Sequence, residues 1–294
     1  MIIFQTNEPL ISKLRLDILV ENSSFKSKFL AEHGLSVLIN AETEDNKKFS
    51  LLFDTGSSGN PLPNNLEVLK KDISNLDGII LSHGHYDHSG GLMQVFKLIN
   101  RKIPLYLHPD ALNPKYSKQN GKTRSIGIPV PILEKLKDLV DLQISRVPQF
   151  IHPSIFTSGE MERKTQFEKV PTRFHQKIDG NLVHDEILDD QALILKLRTG
   201  IVIICGCSHS GIINIINHAI KMTGSGRINL ALGGFHLIDA KLHVIKATLD
   251  ELKKINIDLI APNHCTGLFA SAQLINEYLD YFRVMHVGDN IVFE

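Results

Sequence analysis

Cysteine is scarce in this chain of 294 residues, with only Cys205, Cys207 and Cys265. An odd and small number excludes a disulfide framework, and the C-x-C of "CGCS" is neither a C-x-x-C redox pair nor half of a zinc ribbon. The three read as small buried apolar residues. Long apolar runs are missing too. No stretch reaches the roughly 20 residues of a membrane span, and "MIIFQTNEPLISKLRLDILV" at the start lacks the basic residues, apolar block and small-residue cleavage site of a leader. A cytoplasmic protein without a membrane partner is expected. Nor is there an excess of one charge, since 32 Lys and Arg balance 32 Asp and Glu. Without a basic run or arginine-rich arm, no nucleic-acid partner is expected, and a small-molecule substrate fits better. Oligomeric state leaves no signal in the sequence.

What is present is ordinary globular composition, 43% hydrophobic and 22% charged, in a chain long enough to bury a sizeable core. Strand-like runs alternate with helix-like runs. "LRLDILV", "GLSVLIN" and "KKFSLLFDTG" predict consecutive strands, the last two joined by the polar turn "AETEDN". "NLEVLKKDISNL" places Leu66, Leu69, Ile73 and Leu76 at helical spacing. "DGIIL", continuously apolar, predicts a strand covered on both faces. From about 109 to 183 the pattern dissolves into scattered Pro, Gly, Lys and Asn, as in functional loops or lids. Beyond it, two apolar strands meet at Thr199-Gly200, and strand-helix units follow to the end. The expectation is one α/β domain over 1–294 with an irregular insertion or lid at about 109–183. Hairpins and βα units in both halves predict two mixed sheets face to face between helices, an αββα sandwich.

Histidine number 14 is less informative than histidine placement. "ILSHGHYDHSGGL" sets His83, His85, Asp87 and His88 directly after a buried strand, with Gly90-Gly91 opening the next helix. In an extended or loosely turned segment His83, His85 and Asp87 share a direction and His88 faces another way, so one loop can serve two metals. Imidazole suits zinc, iron and similar ions, and a carboxylate balances their charge. A helix cap needs nothing so dense. Three later strands end in His209 ("VIICGCSHSG"), His236 ("LALGGFH") and His264 ("LIAPNHCTG"). Any one alone would be an ordinary packed or surface histidine. Their shared position at strand ends, where open α/β sheets place their sites, predicts that at least two are ligands.

Through "LLFDTG", "SHGHYDHSGG" and these strand ends the chain resembles the metallo-β-lactamase superfamily. The resemblance implies the αββα sandwich and a site for one or two divalent ions, zinc first, with manganese or iron as alternatives. It implies that His83 and His85 serve the first metal, Asp87 and His88 the second, and that His264 completes the second. The superfamily's bridging aspartate is missing from "IICGCSHSG", where His209 is the candidate. An earlier loop that normally carries a histidine has Glu160 in "IFTSGEM" instead. "AEHGLS", "TSGEM", "DDQAL", "CGCSHSGIINII", "LGGFHL" and "HCTG" together resemble the branch of metal-dependent hydrolases related to the methanopterin-pathway synthase.

Asp87 and His209 are expected to take part in catalysis as well as ligation. Asp54 either accepts the outer N–H of a ligating histidine or is the turn residue of "DTG". His33 and His236 are expected to line the substrate pocket or complete a shell. Arg163, Lys164, Lys122 and Arg124 offer charge to an anionic substrate or merely face solvent. A Ser-His-Asp relay is excluded by the missing G-x-S-x-G elbow. The leading expectation is a metal-dependent hydrolase of a small anionic ester, lactone or phosphoester that uses a metal-activated water. Two alternatives stand beside it. One is a transferase joining a dihydropterin pyrophosphate to an aminobenzene ribofuranosyl phosphate, and the other is an iron-dependent redox enzyme on the same scaffold.

Overall fold

The computed structural model describes residues 8–294. A single hydrogen-bonded ladder runs Ile260–Asn263, Ile228–Gly234, Gly200–Ile204, Leu193–Leu197, Ile11–Val20, Ser36–Thr43, Lys48–Phe53, Gly78–Ile80, Pro104–Leu107, Asp141–Ile144. The short strands Phe150–His152, Ile155–Thr157 and Asn290–Phe293 flank it. Its two halves are joined where Ile11 pairs with Leu197 in parallel, their single register pair, and they face each other across a shared core.

Alternation along the strands makes three apolar layers. Leu14, Leu16, Val37, Ile39, Leu51, Phe53 and Ile80 meet Val202, Ile204, Leu230 and Leu232 between the sheets. On the outer face of the first half, Leu38, Leu52, Ile79 and Leu81 pack on Leu92, Val95, Phe96 and Ile99 of the helix Leu92–Ile99. On the other outer face Ile201, Ile203 and Ala231 meet the helices Ile212–Thr223, Leu242–Leu252 and Leu268–Tyr278. Because side chains of a strand alternate, neighbours such as Leu51 and Leu52 serve different layers, and the expected αββα sandwich results.

Two local readings differ from expectation. The helix predicted over 65–76 is Pro61–Leu69. It starts at a proline whose missing N–H costs nothing there, and it ends at Lys70, left-handed with φ 53°. Beyond that, Asp72 accepts the amide and hydroxyl of Ser74, a local turn that competes with a helix, while Ile73 and Leu76 are buried from the loop. The stretch expected to be irregular contains short strands. Asp141–Ile144 extends the ladder, and Lys115–Gln119, Lys122–Ser125, Phe174–Ile178 and Asn181–His184 form a separate four-stranded sheet. Two of these strands, KTRS and NLVH, are exposed along their whole length, so no apolar alternation marked them. The small sheet lies over the strand ends: Tyr86 N–H donates to the Ile126 carbonyl at 2.9 Å, and Ile126, Val170, Phe174 and Ile187 form its own apolar cluster with Tyr86 against it.

Among the described residues no helix is long and apolar enough to cross a membrane. The inter-sheet layer should carry most of the stability. Leu16, fully buried in it, supplies the test: Leu16→Ala is expected to cost about 2–5 kcal/mol through lost burial and a residual cavity, read from the shift in urea midpoint. A loss below about 0.5 kcal/mol would contradict this layer.

Candidate metal centre

Six strands of the ladder end on one rim. Gly78–Ile80 leads to Ser82 and His83, Lys48–Phe53 to Asp54, and Ile11–Val20 to Glu21 and Asn22. From the other half come Gly200–Ile204 before Cys207 and His209, Ile228–Gly234 before His236, and Ile260–Asn263 before His264. The chain turns sharply there: Asp54, Ser208, His236 and His264 all take left-handed backbone, with φ of 58°, 56°, 48° and 49°. Non-glycine residues adopt this region at a cost, and they do so mostly where a site demands it. Gly84 serves a different purpose. A Cβ there would come within 2.2 Å of the Ala111 carbonyl oxygen, so only glycine lets the loop between His83 and His85 lie this deep.

Hydrogen bonds then decide which ring nitrogens face inward. His88 Nδ1 meets Asp54 Oδ2 at 2.6 Å, which holds a proton on Nδ1 and makes Nε2 the nitrogen that a cation would take, displacing its proton. Nε2 lies 3.1 Å from Cys207 Sγ and 3.7 Å from Asp87 Oδ2. Ser82 Oγ donates to Asp54 Oδ2 at 2.7 Å and so receives His83 Nδ1 at 2.9 Å, leaving His83 Nε2 2.9 Å from His85 Nδ1. His264 donates from Nδ1 to Asn22 Oδ1 at 2.9 Å, and its Nε2 points to Asp87 Oδ2 at 3.3 Å. Asn22 itself is oriented, since its amide donates to the His264 carbonyl and its oxygen accepts the Gly34 amide.

Two principal clusters of donors result. Asp87, His88, Cys207 and His264 bring one ligand atom each within 4.8 Å of one another, and so do His83, His85 and His209. Cys207, His209 and His236 form a third grouping that shares members with both. Among the described residues His85 Nε2, both ring nitrogens of His209 and of His236, and His264 Nε2 are buried without a hydrogen-bond partner. A buried polar atom left unsatisfied costs about 1–3 kcal/mol. Converging imidazole, thiol and carboxylate donors with free lone pairs fit a borderline divalent ion, which would satisfy them together.

Electrostatics agree with that fit. Burial and neighbouring histidines hold His83 and His209 well below the usual imidazole value, and burial takes His85 down to about 3, so these rings are neutral. Burial opposes charge on His88 also, but the Asp54 and Asp87 carboxylates carry it up to about 9. Against its own burial, Asp87 is held well below the carboxylate range by His88, His264 and His33. Burial pushes the Cys207 thiol well up, so ligation there would release a proton.

His83, His85, Asp87, His88, His209 and His264 are thus brought together, and Asp54 stands behind two of the rings. His33, half exposed, reaches Asp87 Oδ2 at 3.2 Å from the solvent side. His236 stacks on His209 with ring centroids 4.3 Å apart. Glu160 is not in any of the clusters: it pairs with Arg146 at 3.3 Å and His108 at 3.4 Å. Of the four cations offered to a substrate, Arg163 is engaged with the Ile187 carbonyl and Ser210, Lys164 pairs with Glu162, and Lys122 and Arg124 sit on an exposed strand. Cys207, read as packing, stands where the missing aspartate was sought, and His209 belongs to the all-histidine cluster. Cys207 belongs with Asp87, His88 and His264, His209 with His83 and His85, and the two meet again in the grouping with His236.

The chain belongs to the metallo-β-lactamase superfamily, whose family model matches residues 31–213. Within it the chain is 34% identical over 288 residues to the 7,8-dihydropterin-6-methyl-4-(β-D-ribofuranosyl)-aminobenzene-5′-phosphate synthase of Methanocaldococcus jannaschii, covering 96% of this chain and 98% of that protein. This is the branch that the motifs indicated. An uncharacterized protein of the same organism is 39% identical over 93% of this chain and 98% of its own. Among solved structures, a metal-dependent hydrolase of the β-lactamase superfamily matches with a TM-score of 0.78 at 29% identity, covering 95% of this chain and 98% of its own. A diphosphatase of the PhnP family shares the fold, with a TM-score of 0.52 at 13% identity over 97% of this chain and 98% of that one. The chain is an enzyme, and both hydrolysis and group transfer lie within the chemistry of its relatives.

Cobalt substitution separates the two donor sets. The thiolate of Cys207 should give a sulfur-to-cobalt charge-transfer band that Cys207→Ser abolishes and Cys265→Ser retains; a band that survives Cys207→Ser would remove this residue from the shell. His85→Ala should lower bound metal per chain with circular dichroism unchanged, and undiminished metal content would refute the all-histidine cluster.

Proposed function

We propose that the protein is a metal-dependent hydrolase of a small substrate with an anionic phosphoester, ester or lactone-derived end. The observation that supports this most is a cavity of about 560 Å³ that opens directly on His209 and His236. Its walls divide by chemistry. Phe167, Phe235 and Leu237 offer an apolar face, while Lys169, Arg173 and Lys241 offer positive charge. The two carboxylates on the wall are already engaged, Asp239 with Arg173 at 3.0 Å and Glu168 with the first amides of the helix Ile212–Thr223. A substrate with a flat apolar body and an anionic end suits such a wall.

Cations held by the two donor clusters, zinc first among them, would lower the pKa of a water toward neutrality and neutralise charge on a phosphoryl or carbonyl oxygen. The protein's own part is orientation. Phe174 packs its ring against His85 and His209, with centroids 5.4 and 5.3 Å away, and keeps solvent off that side of the histidines. Arg173 lies over the same Phe174 ring at 4.8 Å, so its guanidinium is held at the boundary between the cavity and the donors. Asp87, ringed by His33, His88 and His264, would accept a hydrogen bond from an attacking water and orient it. His209 faces both the donors and the cavity.

A second reading is transfer, and the named synthase supports it. There the attacker would be the aminobenzene ribofuranosyl phosphate and the leaving group the pyrophosphate of a dihydropterin. The same cavity, with its apolar face and its cations, would take the pterin part in this reading. The protein acts on small molecules in either reading, and a cytoplasmic location follows as an expectation for such an enzyme.

The deciding experiment offers zinc-loaded protein phosphodiesters, phosphomonoesters, lactones, and the pterin pyrophosphate with and without the aminobenzene partner, with products read by mass spectrometry. A coupled product would replace the hydrolase reading by the transferase. No turnover of any of these substrates would overturn both. For whichever substrate reacts, Arg173→Ala is expected to raise KM roughly 10–100-fold, the worth of a charged hydrogen bond, with a smaller change in kcat.

A further inference from the structure

Three consecutive buried polar residues, Asp189, Asp190 and Gln191, touch no donor atom of the clusters, yet each grips a loop that carries them. Asp189 Oδ2 accepts the Gly84 amide, between His83 and His85, at 2.7 Å. Asp190 Oδ2 accepts the Ser210 amide, next to His209, at 2.7 Å. Gln191 donates its backbone amide to the Ser82 carbonyl at 2.8 Å and its side chain to the Leu81 carbonyl at 2.9 Å. The loops of His83, His85 and His209 come from opposite halves of the ladder, and this one segment is bonded to both.

A charge in this position needs balancing. Lys115, with no exposed side-chain surface, gives its ammonium to Asp189 Oδ1 at 2.7 Å and to Asp185 Oδ2 at 2.8 Å. It stands on the first strand of the small sheet that covers the centre. A buried ion pair of this kind adds little net stability over an apolar replacement, so its retention calls for another role. Here the carboxylate frees one oxygen for the lysine and turns the other onto a single backbone amide.

We propose that Asp189-Asp190-Gln191 is a positioning bracket, which fixes the spacing of the two ligand loops so that the His83, His85 and His209 cluster is formed before a cation arrives. The proposal rests on those three histidines being ligands, as read above. Asp189 acts through Gly84 rather than on any reacting atom, so it is a positioning residue. Loss of its acceptor would let the loop drift at the point where Gly84 approaches Ala111, and His83 and His85 would part. The cluster of Asp87, His88, Cys207 and His264 has other anchors, Asp54 and Asn22, which do not involve Asp189.

Hydrogen-deuterium exchange on the wild-type protein, with and without zinc, tests the bracket directly. The amides of Gly84 and Ser210 are expected to be protected to the same degree in both states; rapid exchange that zinc alone suppresses would overturn the proposal. A pair of double variants then separates acceptor from charge. Both Lys115→Met with Asp189→Asn and Lys115→Met with Asp189→Ala lose the ion pair, but only the asparagine can still accept the Gly84 amide. Cobalt affinity of the all-histidine cluster should stay within about threefold of wild type in the first and fall roughly 10–100-fold in the second, the range that supporting hydrogen bonds control. The Cys207 charge-transfer band should persist in both. Equal affinities in the two doubles, or parallel loss of the thiolate band, would reduce the segment to a merely structural part and sink the proposal. Wild-type protein that binds no cation would instead sink the metal reading, and the exchange data would still judge the bracket.

Discussion

Asp54 accepts three hydrogen bonds from the loop it faces, from the Ser82 amide and hydroxyl and from the His88 ring, and the histidines are oriented through them. A ring nitrogen can serve a cation only if the other nitrogen holds the proton, and the proton goes where an acceptor waits. Asp54 settles that for His88 directly and for His83 through Ser82. Asn22 does the same for His264. The left-handed turn at Asp54 makes this arrangement reachable, because an extended residue at the end of Lys48–Phe53 would send the carboxylate into a layer of the core.

Such a centre is expensive to build. Several of its ring nitrogens lie buried without partners, and four residues take unfavourable backbone to present or support them. The three apolar layers offset those costs, which is why the chemistry sits on the rim where strands from both halves end, and not on the exposed small sheet. The same geometry explains the glycine in H-G-H. It is required by the approach of Ala111 rather than by a left-handed turn.

Much of this was legible in the sequence. H-x-H-x-D-H after a continuously apolar strand, with histidines at later strand ends, marked six candidate donors that the fold brings together, and alternating strands and helices marked the layers. Other parts were hidden for physical reasons. Cys207 reads like any buried cysteine, because what distinguishes it is the direction of its sulfur. The Asp189 segment and Lys115 act across long sequence separations, through contacts that no local pattern encodes. The strands of the small sheet were obscured because exposed polar strands carry no two-residue apolar period. Glu160 was placed by analogy of position, and its pairing with Arg146 and His108 follows from a loop whose course the motif does not specify.

The parallel pair of Ile11 and Leu197 has a consequence for how the molecule assembles. Each half of the ladder has its own helices and outer apolar layer, and a single register pair joins their strands, so each could collapse early on local contacts. Both donor clusters draw from both halves, so the all-histidine set cannot close until the chain has been made past residue 209, nor the other until past residue 264. Closing so long a loop is entropically costly and slow. A cation would therefore arrive last and clasp two preformed halves, stabilising only the assembled chain and making its resistance to separation a function of free metal concentration.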